Sequence, residues 1–428
     1  MDEQTELPLE IFDKIVENVS KDRRILMNCA LASRALLSSS RRHLFASICL
    51  DDHKRCDGLY VLLTESSTLS TYIHNLTILI YRTQLSPKPG WLSMNTMLPG
   101  VLDMLTSLRS CSLYIFNGNE WKDIDPQITA ALFQTFTLPS LSSIDIIGLY
   151  GIPNTFFNIP ATVERLKLKS VSFERVLDTV DHPTCSLSFK SLDFDPGVRG
   201  PHIAQSHKII SAIAANPDSC FSRVADLRVY VSRENFPIFR PILNAAARSL
   251  TSLELDHVYG NLAASGGRPL DAFQFNLANF MNITRLSFSI SMYYITSSDL
   301  QSTIFTSSQD LITILASSAS TLARIETLTI MFIPKDLHSS YDISMAKYFS
   351  HVDVWGQLDE TICRQGSTME LRVDVILRMP MYKLVQLIET KKEWQEAMRG
   401  KFPTLEKRGA LTLNAESSLP GFDGEYQT

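Results

Sequence analysis

The sequence has no long hydrophobic run, since no apolar stretch approaches the ~20 residues that a helix needs to cross a bilayer. It also lacks an excess of positive charge, because 40 lysines and arginines stand against 45 aspartates and glutamates, a net charge of −5. We therefore expect no membrane and no nucleic acid among its partners. The acidic start, MDEQTELPLE, has no basic and apolar stretches typical of a signal peptide, which favours a cytoplasmic or nuclear location over secretion.

Cysteine is scarce and unpaired in the sequence: there are seven, and none forms a CxxC pair. This pattern favours small buried hydrophobic residues in a reducing compartment over a disulfide framework or a metal site. The motifs GxSxG, HExxH, GxxxxGK[ST] and GxGxxG are absent, and His202 and His207 are five apart rather than the four of a metal-binding helix face. We expect a non-catalytic protein with no cofactor and no metal. The sequence leaves open whether the protein has a pocket for a small molecule.

The composition, 45% hydrophobic and 20% charged, is that of an ordinary globular protein. A length of 428 residues suggests two to four domains, or one small domain followed by an elongated array.

The first 50 residues have the pattern of three short helices. Pro8 suits the first turn of a helix, since its missing N–H needs no partner there. An apolar face at helical spacing follows, formed by Ile11, Phe12, Ile15, Val16 and Val19. Asp22 is placed to cap a second helix over 23–32, and Ser33 a third over 34–45. A unit this small buries little surface alone, so its apolar faces need a partner, either the rest of the chain or another protein.

After residue 50 a short apolar-x-apolar unit recurs, which predicts β-strands. Its eleven copies begin at Leu76, Cys111, Ile144, Leu166, Leu192, Leu227, Leu253, Leu286, Leu328, Leu371 and Leu411. The spacing is 26 residues from Leu166 to Leu192, and 42 residues from Leu286 to Leu328. Some copies therefore fit the roughly 20–29 residues of a leucine-rich repeat, and others carry insertions.

Helical patterns separate the strands, the clearest at 126–136, 203–215, 236–250, 309–322 and 382–398. Strand and helix in alternation give parallel strands with right-handed connections, so the fold class is α/β. We predict a three-helix head over 1–50 and an irregular leucine-rich-repeat horseshoe solenoid over 51–428, with its strands on the concave face and its helices outside. The alternatives are a closed barrel or a doubly wound sheet, but eleven units exceed a barrel's eight and no glycine-rich loop follows a strand.

The head resembles an F-box. The resemblance is carried by LPLEI at 7–11, the apolar face to Val19, DRRIL at 22–26, CALASR at 29–34 and the closing RHLFASI at 42–48. WGQLD at 355–359 and FPTL at 402–405 are also similar to segments of fungal F-box proteins with leucine-rich repeats. One departure is the third helix, RALLSSSRRHLF, which lacks the tryptophan that many F-boxes have.

The resemblance implies the substrate-recognition subunit of a Skp–cullin–F-box ubiquitin ligase, a substrate adaptor in ubiquitin-dependent degradation. The head would bind a Skp-type adaptor and, through it, a cullin, while the repeats would bind an unknown protein substrate. By position in the motif, the adaptor-binding residues are Leu7, Pro8, Ile11, Ile15, Leu26, Leu31 and Ala32. The alternative is a non-catalytic repeat scaffold whose helical head only caps the solenoid.

The residue between the two apolar positions of each copy is expected on the concave face. There the charge alternates in sign along Lys167, Asp193, Arg228 and Glu254. Residues two further along add Lys169, Asp195, Tyr230 and Asp256 to the same face. One interpretation is a self-paired ladder that keeps the face soluble. The other is a recognition surface for a charged substrate segment, formed by Lys167, Lys169, Asp193, Arg228, Tyr230 and Glu254.

Overall fold

The computed structural model describes residues 8–81, 91–93, 95–174, 185–197, 202–231, 236–259, 277–293, 297–335, 349, 352–365, 371–380 and 387–418. Contacts divide the chain into two compact units, Met1–Phe189 and Lys190–Thr428, and each is described by itself.

The first unit begins with the three predicted helices: α1 (Leu9–Asn18), α2 (Arg23–Ala32) and α3 (Arg34–Phe45). Both predicted N-caps are present. The Asp22 carboxylate accepts from the N–H groups of the second and third residues of α2, at 2.9 and 3.1 Å, and the Ser33 hydroxyl accepts from the second N–H of α3 at 3.2 Å. Because α1 and α2 each pack on α3, we call these helices the head.

The rest of the first unit alternates strands with helices. Its strands are β1 (Ser47–Leu50), β2 (Asn75–Tyr81), β3 (Ser110–Glu120), β4 (Ser143–Tyr150) and β5 (Thr162–Lys169). Its helices are α4 (His53–Glu65), α5 (Leu98–Met104) and α6 (Pro126–Phe136). The five strands pair in parallel and in chain order.

The second unit has the same organisation. Its strands are β6 (Ser188–Asp195), β7 (Asp226–Val231), β8 (Ser252–Tyr259), β9 (Arg285–Tyr293), β10 (Thr327–Lys335), β11 (Arg372–Pro380) and β12 (Leu411–Ser418). Its helices are α7 (His202–Ala214), α8 (Phe236–Ala246), α9 (Ser297–Ala316), α10 (Ala319–Leu322), α11 (Trp355–Gln365), α12 (Leu387–Met398) and α13 (Pro403–Lys407). These strands also pair in parallel and in chain order.

Strand register builds the core from the apolar-x-apolar units. In the second unit Leu192, Leu227, Leu253 and Leu286 are aligned on neighbouring strands, and all four are buried. In the first unit Leu76, Cys111, Ile144 and Leu166 form the matching row. Because side chains alternate along a strand, the residue between the apolar pair lies on the opposite side of the sheet, which we call the polar face.

The predicted α/β class, with parallel strands separated by helices, is confirmed. Ten of the eleven predicted copies lie wholly within strands β2–β12, and the copy at Leu371 begins one residue before β11. Within each unit the strands follow chain order, which a doubly wound sheet would not do. At β11 the alignment is offset by two residues from the start of the predicted copy, because Leu328 aligns with Val373 and not with Leu371. Leu371 precedes β11, and the aligned residue of the polar face is Asp374.

A recurring carbonyl joins each repeat of the first unit to the one before it. The Ala46 carbonyl accepts from the N–H groups of His74 and Asn75, and the His74 carbonyl accepts in turn from Arg109 and Ser110. In the same way, the Arg109 carbonyl accepts from the N–H groups of residues 142 and 143, and the Ser142 carbonyl accepts from those of residues 164 and 165. In the second unit the acceptors Ala225, Thr251 and Thr284 repeat it. We call these groups the shared carbonyls.

Candidate functional site

The head has more apolar surface than its own core uses. Val16 of α1 and Leu26 of α2 are buried, at 0% and 2% exposure, and form its interior. Five of the eleven large apolar side chains that are exposed in the described residues nevertheless lie in α1 and α2. They are Ile11, Ile15, Ile25, Met27 and Leu31. This concentration in two short helices distinguishes the head from the repeats.

The structure places most of the residues predicted to bind an adaptor on this surface. Pro8, Ile11, Ile15 and Ala32 are exposed, and Leu31 is 85% exposed. Leu26 differs, because it is buried between the helices and belongs to the internal packing of the head. Leu7 lies outside the described residues. Whether this surface binds an adaptor stays a prediction.

Sequence reasoning missed Ile25 and Met27 as surface residues. They flank the buried Leu26 in the sequence and lie about 100° away from it on either side of the helix, so both stay exposed. The helical wheel of α2 contains a signal for the exposed face. Arg24, Met27 and Leu31 are spaced three and four residues apart, so they share one face of the helix, on the side away from Leu26.

Arg228 is the centre of the charged residues on the polar face of the second unit. Its Nε lies 3.3 Å from the Glu254 carboxylate, and its Nη2 lies 3.3 Å from the Asp256 carboxylate. The guanidinium also lies over the Tyr230 ring, 5.2 Å from the ring centre. Burial lowers the pKa of Arg228, but Tyr230, Glu254 and Asp256 raise it by more, so this residue stays charged. Asp193 is the cross-strand neighbour of Arg228 in β6.

The polar face of the first unit is differently built. Lys167 and Lys169 of β5 are buried rather than presented to solvent, at 5% and 6% exposure. Lys167 pairs in register with Asp145 of β4, whose carboxylate also lies 3.7 Å from Arg165 and accepts from the Tyr114 hydroxyl at 3.5 Å. Burial first, and then Asp145, raise the pKa of Tyr114. These charges are thus engaged with their neighbours.

The six residues predicted as a substrate surface are therefore divided between the units, with Lys167 and Lys169 in the first and the other four in the second. Around Arg228 the self-paired ladder is visible in the contacts themselves, since the guanidinium meets two carboxylates of β8. Lys169 lies in β5, and Asp193 and Asp195 lie in β6, at the alternate positions predicted for the polar face. Substrate binding by this face stays a prediction, and Arg228 and Glu254 are partly exposed members of it.

The described residues offer no metal-binding group of three or more histidine, cysteine or carboxylate side chains. Burial raises the pKa of the Cys56 and Cys111 thiols to about 12, so both are protonated at neutral pH and are poor nucleophiles. Cys56 instead donates to the Asn95 side chain at 3.6 Å, part of a polar cluster that joins α4 to the start of α5. In the part of the chain that is described, no helix is long and apolar enough to span a membrane.

No protein-family model matches the chain, and no curated protein matches it either.

Proposed function

We propose that the protein is the substrate-recognition subunit of a Skp–cullin–F-box ubiquitin ligase, in which the head binds a Skp-type adaptor and the repeats bind a protein substrate. The observation that carries the proposal is the exposed apolar surface of α1 and α2. Exposed apolar residues concentrated in one small element are typical of a protein-binding surface. In this role the protein is non-catalytic and connects the ligase to its substrate.

The spacing of the exposed residues supports docking into a groove. Ile11 and Ile15 are one turn apart on α1, and Met27 and Leu31 are one turn apart on α2. Anchors at such spacing are how a helix inserts its apolar face into a partner. Fully burying a side chain of this kind contributes about 1.5–3 kcal/mol, and Leu31 is the most exposed of them.

A second candidate, a non-catalytic repeat scaffold whose head only caps the solenoid, is supported by a different part of the head. Helix α3 contacts β1, and the Ala46 carbonyl at its end accepts from the His74 and Asn75 N–H groups. The two roles use different surfaces, since the cap needs α3 and the adaptor needs α1 and α2. Variants on α1 and α2 therefore separate them.

The decisive test is co-purification with a Skp-type adaptor on a sizing column at micromolar concentration. The wild-type chain is expected to elute with the adaptor. Leu31→Asp is expected to abolish co-elution, because it places a carboxylate in an apolar interface. Its melting temperature should match the wild type, since Leu31 makes almost no contact within the chain.

Met281→Asp is the matched control, because Met281 is 70% exposed but lies in the second unit. This variant should co-elute with the adaptor as the wild type does. Separate elution of the wild-type chain and the adaptor would favour the second role, in which the head only caps the solenoid.

The substrate half of the proposal is tested by comparing the proteins captured by the wild-type chain and by Leu31→Asp. Adaptor and cullin should be lost from the variant, while substrates bound to the repeats should be retained. A point substitution suits this comparison better than deletion of the head, because deletion would also remove the Ala46 carbonyl from the first repeat.

A further inference from the structure

We draw no further inference here: the strongest candidate, the charged polar face of the second unit, carries nothing beyond the substrate surface already proposed, because the arginines described on it, Arg228, Arg285, Arg372 and Arg378, each form an ion pair with a carboxylate of that same face.

Discussion

Gly148 lies in β4 with φ at +74°, directly against the neighbouring strand β3. A Cβ atom built there would lie 1.9 Å from the Ile115 carbonyl oxygen, in backbone that cannot rotate away. The contact coincides with an irregularity in the pairing, where the register of β3 shifts between Tyr114 and Asn119. The close approach of two strands at this shift requires glycine.

We therefore expect Gly148→Ala to lower the free energy of unfolding by roughly 3 kcal/mol or more, because it combines a left-handed backbone with a steric clash. Gly151→Ala is the matched control, since Gly151 has φ at +66° but nothing within 4 Å of its Cβ position. It should cost only about 1 kcal/mol. Urea denaturation measures both, and equal losses would show that the carbonyl of Ile115 imposes no constraint.

The buried thiols allow a prediction about pH. Unfolded cysteines ionise near their ordinary pKa of 9, whereas burial raises the pKa of Cys56 and Cys111 to about 12. Their contribution to stability is therefore complete below pH 9 and is lost as pH rises toward 12. Both thiols should resist alkylation by iodoacetamide at pH 8 and react after urea is added, as read by mass spectrometry. Rapid alkylation of either thiol in the folded chain would contradict this.

At the scale of elements, the C-terminal part of the second unit is held by a cap that is distant in sequence. Asp359 of α11 is 2% exposed, and its carboxylate accepts from Thr404 N–H at 2.9 Å and Leu405 N–H at 3.0 Å. It thereby caps α13 across 45 residues. Trp355 of the same helix packs on Phe402, just before α13. Segments 355–359 and 402–405 thus form one packed contact.

Asp359→Ala should destabilise the second unit by more than removal of an exposed cap would, because it leaves two N–H groups without an acceptor at a buried site. A loss of about 2–3 kcal/mol is expected in urea denaturation. The matched control is Asp22→Ala, whose carboxylate makes the same two bonds at the exposed start of α2 and should cost about 1 kcal/mol. A larger loss of stability for Asp22→Ala than for Asp359→Ala would mean that α13 is held by its aromatic contacts alone.

Elements were predictable from the sequence where local pattern determines them. The apolar-x-apolar copies became strands, and α6 has the predicted bounds, Pro126–Phe136. The Asp22 and Ser33 caps followed from local hydrogen bonding, which needs no tertiary context. Long-range pairing was not predictable: neither the alignment of Leu328 with Val373 nor the reach of Asp359 to Thr404 has a local signal.

The candidate site was less predictable than the strands. Helical spacing identified the apolar residues of the head but could not tell the buried Leu26 from the exposed Ile25, because this depends on how α2 packs on α3. Alternation placed Lys167 and Lys169 on the polar face but could not show that both are buried there.

At the scale of the whole molecule, the head is attached to the repeats by the same bond that joins one repeat to the next. Removing residues 1–46 should therefore leave the His74 and Asn75 N–H groups without their acceptor, and hydrogen exchange at these two amides should accelerate by at least tenfold. Leu31→Asp keeps the acceptor and should leave their exchange unchanged. Unaltered exchange in the truncated chain would show that the head contributes no acceptor to the array.

The shared carbonyls also have one direction along the chain. Every acceptor belongs to the earlier repeat and every pair of donors to the later one, as at Ala46 and His74 in the first unit and at Thr251 and Thr284 in the second. A nascent chain leaves the ribosome with its N-terminus first, so each new strand emerges when its acceptor is already in place. Each shared carbonyl is therefore synthesised before the two N–H groups from which it accepts.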